Sequence, residues 1–429
     1  CMVCSKGKRV SFATEEALAR APIEVEKTEI GAETVIVLEG VALERLEQRM
    51  QRFACGFSIR VVFNGRELGR PYATGCLPFV ETDIGLVHLG GLEDGKATTS
   101  HLVFLQGFVV IGNERYASGD NIIHLDPSKF LARLPDRDKL IDQEEQEKRI
   151  DACLRESWRA RLLREKASMG AVEFVERWFD AAATWRLLEI FDDVPALPGC
   201  LFRRISEYPI REGYRNTDHL ERFQRTLLKE DIEAGRIKLV ELDSVHDETL
   251  PHWMYARERG LTVFNSARLG DRHWVHPYVR ALGDEECHVE VIGETVRESL
   301  NGSLVCSQVA ICEAYALCVG EDRVVIHDEA MYWHEEDVIL VPENECSGEA
   351  VCQVSNYIDS NDRWHYEDKQ ADEEALRNLI QLLRAKDPKQ ALGSLLADLK
   401  LEKYPSLRGK VFTLKVGPSP DRHEIELLE

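Results

Sequence analysis

The sequence has no apolar run approaching the length of a membrane span, and its first residues lack the apolar core of a secretory leader. It also lacks a G-x-S-x-G nucleophile elbow and an H-E-x-x-H zinc helix, which removes the commonest hydrolase signatures. Basic residues are in deficit: 54 Lys and Arg stand against 76 Asp and Glu, a formal charge of −22. A surface of that sign repels phosphate backbones and anionic lipid over most of its area, so nucleic acid and membranes are not expected partners. The nearest basic cluster, Arg155, Arg159, Arg161, Arg164 and Lys166, is interleaved with Glu156 and Glu165 and reads as a solvated helix face. Twelve cysteines in 429 residues are too sparse for a disulfide framework. Several lie in apolar stretches, where a thiol acts as a small hydrophobe. Together these absences point to a reducing, cytoplasmic setting.

What is present is the ordinary composition of a folded protein, 44% hydrophobic and 30% charged, long enough for two to four domains. The chain opens at Cys1 and enters strand-like sequence at once, which reads as the start of a fragment. Thr34 to Leu38 predicts a buried strand and residues 41–53 a helix. Phe57 to Phe63 predicts a strand closed by the turn Asn64-Gly65. Further strands are expected at 84–89, 101–111 and 121–125. Ile150, Leu154, Trp158 and Leu162 recur every fourth residue and draw a long amphipathic helix. Val175, Trp178, Phe179 and Ala182 draw a second. Residues 216–235 read as a charged helix, and 238 to about 358 as short strands, among them 288–292, 304–311, 323–326 and 338–341. Asp372 reads as the cap of a helix carrying Leu376, Leu379, Ile380 and Leu383. Asp387-Pro388 starts another, and 409–416 reads as a final strand. The fold class is therefore α+β.

Several motifs invite chemistry. Gly90 to Ala97 nearly spells a phosphate loop, but Ala97 replaces the magnesium-binding hydroxyl and Glu93 and Asp94 repel phosphate. A hairpin loop fits better. His273, His276, Cys287 and His288 are the one grouping that would suit zinc, although the accepted ligand spacings are not met. Cys306, Cys312 and Cys318, evenly spaced by six, read as one packed strand face. His327-Asp328-Glu329 and His334-Glu335-Glu336-Asp337 place acids and bases together, as exposed loops also do.

Residues 121–142 are the most informative. A strand ending in His124 leads into Asp126-Pro127-Ser128-Lys129, then Arg133 and Leu134, then the long helix. This order resembles the transducer domain of GHKL-type ATPases, as in the MutL mismatch-repair family and the heat-shock chaperones of that superfamily. There a strand reading Asn-Val-His-Pro-x-Lys is followed by x-Glu-Val-Arg-Phe and a helix. Lys129, Arg133 and Leu134 match the lysine, the arginine and the terminal apolar residue. Leu125 and Asp126 are extra residues before the proline, and Leu131 stands where a glutamate is expected. Leu102 to Val109 resembles the preceding transducer strand, and Gly31 to Val37 the end of the ATP-binding domain.

The resemblance covers about residues 25–165. It implies residues 1–70 as the end of a GHKL-like ATP-binding domain and 71–165 as the transducer. A helical region at 166–237, a β-rich domain at 238–365 and C-terminal helices with a strand at 366–429 complete the expected organisation. It further implies that Lys129 meets the γ-phosphate of ATP, held with Mg by a separate amino-terminal half whose motifs this sequence lacks. The chain would then couple nucleotide state to movement, in a chaperone-like way, without being catalytic alone. Protein clients and homodimer formation are left open by the sequence. The alternatives are a non-catalytic interaction scaffold and, more remotely, a zinc-dependent hydrolase.

Overall fold

The computed structural model describes the chain apart from residues 30–32, 41–44, 113–118, 135–137, 210–218, 346–349, 352–356, 358–362, 386, 399–400, 418–421, 423 and 429. Expectations that involve Gly31, Val41, Leu43, Pro135 to Arg137, Cys346 and Cys352 therefore lie outside the described residues. The chain is α+β and divides into two units, Cys1–Ala160 and Arg161–Glu429.

The first unit begins with a sheet of four short strands, β1 (Met2–Ser5), β2 (Lys8–Ser11), β3 (Val25–Lys27) and β4 (Val35–Val37), in the order β3-β2-β1-β4. Helix α1 (Thr14–Leu18) lies between β2 and β3 in the chain. β4 is the strand expected from Thr34 to Leu38, but it is an edge strand rather than a buried one. Among the described residues it pairs with β1 alone, and Ile36 is 60% exposed. Helix α2 (Leu46–Ala54) follows, then the hairpin β5 (Val62–Phe63) and β6 (Arg66–Glu67). Asn64 and Gly65 turn it with φ of 50° and 76°, the two left-handed positions of a type I′ turn.

The core of this unit is a five-stranded sheet of β7 (Val80–Thr82), β8 (Gly85–His88), β9 (His101–Leu105), β10 (Phe108–Ile111) and β11 (Asn121–Leu125), ordered β10-β9-β11-β8-β7. The stretch 101–111 is two strands, because Gln106 and Gly107, at φ 56° and 87°, fold it into a hairpin. β11 lies between β8 and β9, parallel to β9 and antiparallel to β8. Residues 90–97 are therefore a crossover loop and not the expected hairpin. Buried Asn121 fixes that loop. Its Oδ1 accepts from the Gly90 N–H at 3.2 Å, and its Nδ2 donates to the Thr98 and Ser100 carbonyls at 2.8 and 3.0 Å. The loop enters a strand, so no helix N-terminus is available to cradle phosphate. Helix α3 (Gln143–Ser168) follows, with Ile150, Leu154, Trp158 and Leu162 all fully buried as their four-residue recurrence predicts.

In the second unit α4 (Ala171–Thr184) buries Val175, Trp178, Phe179 and Ala182. Strands β12 (Ala196–Leu197), β13 (Phe202–Ile205), β14 (Leu220–Arg222) and β15 (Leu227–Leu228) come next, then α5 (Lys229–Glu233). The charged helix expected over 216–235 is thus two strands and one helical turn. Leu220, Phe223 and Leu227 happen to fall at helical spacing, but Leu220 and Leu227 serve separate sheets. β16 (Leu239–Glu241), α6 (Leu250–Glu258) and β17 (Thr262–Phe264) form a parallel β-α-β crossover, and β18 (Val279–Ala281) adds a further parallel strand. The sheet order is β14-β13-β17-β16-β18.

Strands β19 (Cys287–Ile292), β20 (Val296–Asn301), β21 (Cys306–Cys312), β22 (Ala314–Val319), β23 (Asp322–Ile326), β24 (Ala330–Trp333), β25 (Val338–Pro342) and β26 (Ala350–Val351) form two sheets. One is β19-β22-β23 and the other β20-β21-β25-β24-β26. Tyr315, Leu317, Ala310, Met331 and Leu340 share a core between them with α6. The larger sheet buries its other face, with Val309, Ile311, Ile339 and Val341, against Leu376 and Ile380 of α7 (Tyr366–Arg384). Cys306 and Cys312 end one strand while Cys318 lies in another sheet, so the three are not one face. Helix α8 (Pro388–Asp398) starts as expected, with the Asp387 carboxylate accepting from the Lys389 N–H at 2.9 Å. β27 (Phe412–Lys415) is not the final strand, since it pairs with β28 (Glu424–Leu427).

Asp372 is not a helix cap. It lies within α7, 3% exposed, and its carboxylate accepts the backbone N–H groups of Ser303, Leu304 and Val305 and the Tyr357 hydroxyl. Gly302 is obligatory beside it, because a Cβ there would meet Asp372 Oδ1 at 2.2 Å.

Candidate functional site

The Lys129 loop is built by β11 and the β7–β8 turn. Asp126 follows β11, donates its N–H to the Ile84 carbonyl at 2.9 Å, and starts a tight turn with Pro127 at the position where a fixed φ helps. Its Oδ1 takes both the backbone N–H and the hydroxyl of Ser128, at 2.9 and 2.7 Å. Those Ser128 bonds hold the carboxyl below its usual range, with the Lys129 charge adding to them. Gly85 permits the close approach: at φ +130° its Cβ position would lie 2.2 Å from the His124 carbonyl oxygen.

Lys129 itself is 45% exposed at the side chain. Its Nζ donates to the backbone carbonyl of Asp83 at 2.8 Å and stands 3.7 Å from Asp126 Oδ2. Phe130 is buried beneath the Arg149 guanidinium, 4.9 Å from the ring centroid, and Arg149 reaches Asp83 at 3.5 Å. His124, the motif histidine, is structural here. Its ring stacks on Phe104 at 4.9 Å, and Nε2 lies 2.7 Å from the Tyr72 carbonyl. A carbonyl only accepts, so Nε2 carries the proton, and burial lowers the pKa of this ring.

Arg133 and Leu134 do not gather around Lys129. The Arg133 N–H donates to the Lys139 carbonyl at 2.8 Å, beside an isolated antiparallel bridge between Ala132 and Leu140. Leu134 is 70% exposed rather than buried. Arg133, Lys139 and Lys148 instead line an open concavity of about 910 Å³ at the start of α3, together with Asp142, Glu144 and Glu145. Chemically the Lys129 loop offers one half-exposed cation at a strand end, bonded to a backbone carbonyl and 3.7 Å from a carboxylate.

No family model, no curated protein and no solved structure matches this chain.

The zinc grouping is scattered. His276 Nε2 bonds the Gly270 carbonyl at 2.8 Å. Cys287 packs into the core, where burial pushes its thiol up to about 12. His288 is exposed beside Glu286 at 3.4 Å. Among the described residues no three His, Cys, Asp or Glu side chains converge on a metal position. The acid–base stretches are likewise tied into structure. His334 meets Glu248, Glu336 meets Arg297, and Asp337 accepts the Tyr332 hydroxyl at 3.0 Å.

His273 is buried, and its Nδ1 accepts the Val275 N–H at 3.2 Å. Burial, with the neighbouring His276 and Lys229 charges, brings it down to about 4, against the opposing pull of Asp193 and the Phe191 carbonyl. In the unfolded chain this residue takes up its proton near pH 6.5. His273 therefore contributes its full stability above that pH, and the contribution falls away as pH drops toward 4. The expected loss is on the order of 2–3 kcal/mol. Urea unfolding of the wild type and His273→Asn between pH 4.5 and 7.5 checks this. Asparagine keeps an acceptor for Val275, so the variant should lose this part of the acid sensitivity.

Proposed function

We propose that this chain is the coupling portion of a nucleotide-gated GHKL-type ATPase, transducer and accessory regions together, and is not catalytic by itself. The observation that carries the reading is the seat of Lys129. It projects from the loop that ends a buried strand and precedes a long, firmly packed helix, and its Nζ is held by the Asp83 carbonyl at 2.8 Å with the Asp126 carboxylate 3.7 Å away. A lysine there is a flexible point charge that can leave a neutral oxygen for a phosphate. ATP and Mg would be held by a nucleotide-binding half carrying Glu-x-x-x-Asn and Asp-x-Gly-x-Gly motifs. That half is the first expected partner. The segment between β11 and α3 would pass its nucleotide state onward to protein clients.

The reading predicts that the chain alone gives no saturable heat when titrated with ATP and Mg in a calorimeter. Micromolar ATP binding by the chain alone contradicts it. Mixing with the polypeptide encoded immediately upstream in the same frame, if it carries those motifs, should restore ATP binding.

A further inference from the structure

Three arginines of the Arg161–Glu429 unit lie on neighbouring elements, β13, β14 and the turn that follows β17. Arg203 on β13 and Arg222 on β14 are direct cross-strand partners, so their side chains leave the sheet on the same face. The third, Arg268, belongs to the short 3₁₀ turn Ser266–Arg268 that follows β17. That turn is docked at the same end of the sheet. Phe264 pairs with Phe202, and the Asn265 N–H donates to the Leu201 carbonyl at 3.0 Å. Like charges directly opposite across a ladder destabilise it. Burial, then the charges of Arg222 and Arg268, hold the Arg203 guanidinium below its usual range. The nearby carboxylate of Asp180, which acts on Cys200, makes no ion pair with any of the three among the described residues.

The orientation of Arg203 is the second observation. Its Nη1 donates to two backbone carbonyls, Cys200 at 3.0 Å and Phe202 at 2.8 Å. Both N–H groups on that nitrogen are thereby used, and the plane of the guanidinium is fixed. The opposite edge, Nε and Nη2, keeps its donors without a partner among the described residues. That edge is the fork that grips an oxyanion through two parallel hydrogen bonds.

We infer that Arg203, Arg222 and Arg268 form a binding site for a phosphate group, with Arg203 as the fixed fork and the other two as charge partners. A phosphate is close to dianionic at neutral pH and presents several acceptor oxygens, so it suits three guanidiniums better than a single carboxylate does. The site lies outside the Lys129 loop and does not depend on the coupling reading.

The test uses the whole chain with inorganic phosphate as the probe in low-salt buffer, followed by calorimetry and thermal unfolding, with acetate in parallel. Saturable one-site phosphate binding is expected, with a phosphate-dependent rise in Tm and much weaker binding of acetate. Arg222→Gln should weaken phosphate at least tenfold and abolish the rise in Tm. Without phosphate it should be no less stable than the wild type, since it removes a like-charge pair. Arg236→Gln, which loses the exposed pair to Asp231 and a 3.4 Å bond to the Glu230 carbonyl, should bind phosphate normally. Absence of saturable binding, equal binding of acetate, or unchanged affinity in Arg222→Gln would each overturn the inference.

Discussion

Asp372→Ala is expected to destabilise the Arg161–Glu429 unit by about 3 kcal/mol, because four donors, the Val305 N–H buried and the other three part-buried, lose a charged acceptor at once. Its carboxylate takes three consecutive backbone N–H groups, those of Ser303, Leu304 and Val305, and the Tyr357 hydroxyl. The three backbone donors sit where β20 turns into β21, and water has little access to a carboxylate 3% exposed. An orphaned buried donor costs about 1–3 kcal/mol, and a bond to a charged acceptor is worth more than a neutral one. Asp372→Asn is the sharper variant. It keeps the shape, but one oxygen becomes an NH₂ that faces N–H donors. It should fall between the wild type and the alanine variant, nearer the latter. Asp368→Ala, which loses the exposed bond from the Ser303 hydroxyl at 2.6 Å and the His365 contact at 3.3 Å, should cost about 1 kcal/mol. Urea unfolding of the three variants decides it. An Asp372→Ala loss no larger than that of Asp368→Ala would show that the carboxylate does not hold the turn.

The contrast between Asp372 and the helices shows where sequence reasoning reaches. The four-residue recurrence from Ile150 to Leu162 specified α3 because one stripe of that helix is buried. The recurrence from Val175 to Ala182 specified α4 in the same way. Helix α6 was not legible, because Leu250, Trp253, Met254, Tyr255 and Ala256 are all buried and leave no polar face to set a period. The hairpin β9–β10 was masked by the continuous apolar run on either side of Gln106-Gly107. Asp372 carried a capping signature, yet its backbone partners lie about seventy residues away in sequence, which no local pattern encodes. The Lys129 loop was legible as strand, proline, lysine and helix. The carbonyl that holds Lys129, on Asp83, was not, since strand order brings it there. The arginines of β13 and β14 give no signal until register pairs them.

Lys129→Ala is expected to have the largest effect on activity. In a protein that joins this chain to a nucleotide-binding half, the lysine would exchange the Asp83 carbonyl for the γ-phosphate when the two close. A preorganised cation aimed at charge that develops in the transition state typically contributes about a hundredfold to a thousandfold in rate. ADP has no γ-phosphate, so its affinity should be almost unchanged. Stability should change by no more than about 0.5–1 kcal/mol, because a half-exposed lysine holding one carbonyl and a distant carboxylate contributes little. Lys139 is the control. It lies just before α3, carries the same charge, and lines the separate concavity with Arg133. The deciding measurement is ATP turnover of Lys129→Ala and Lys139→Ala side by side in that complete protein. A fall of about a hundredfold or more for Lys129→Ala, with Lys139→Ala close to the wild type, is the predicted result. Equal turnover in the two variants would contradict the assignment of this chain as the coupling portion.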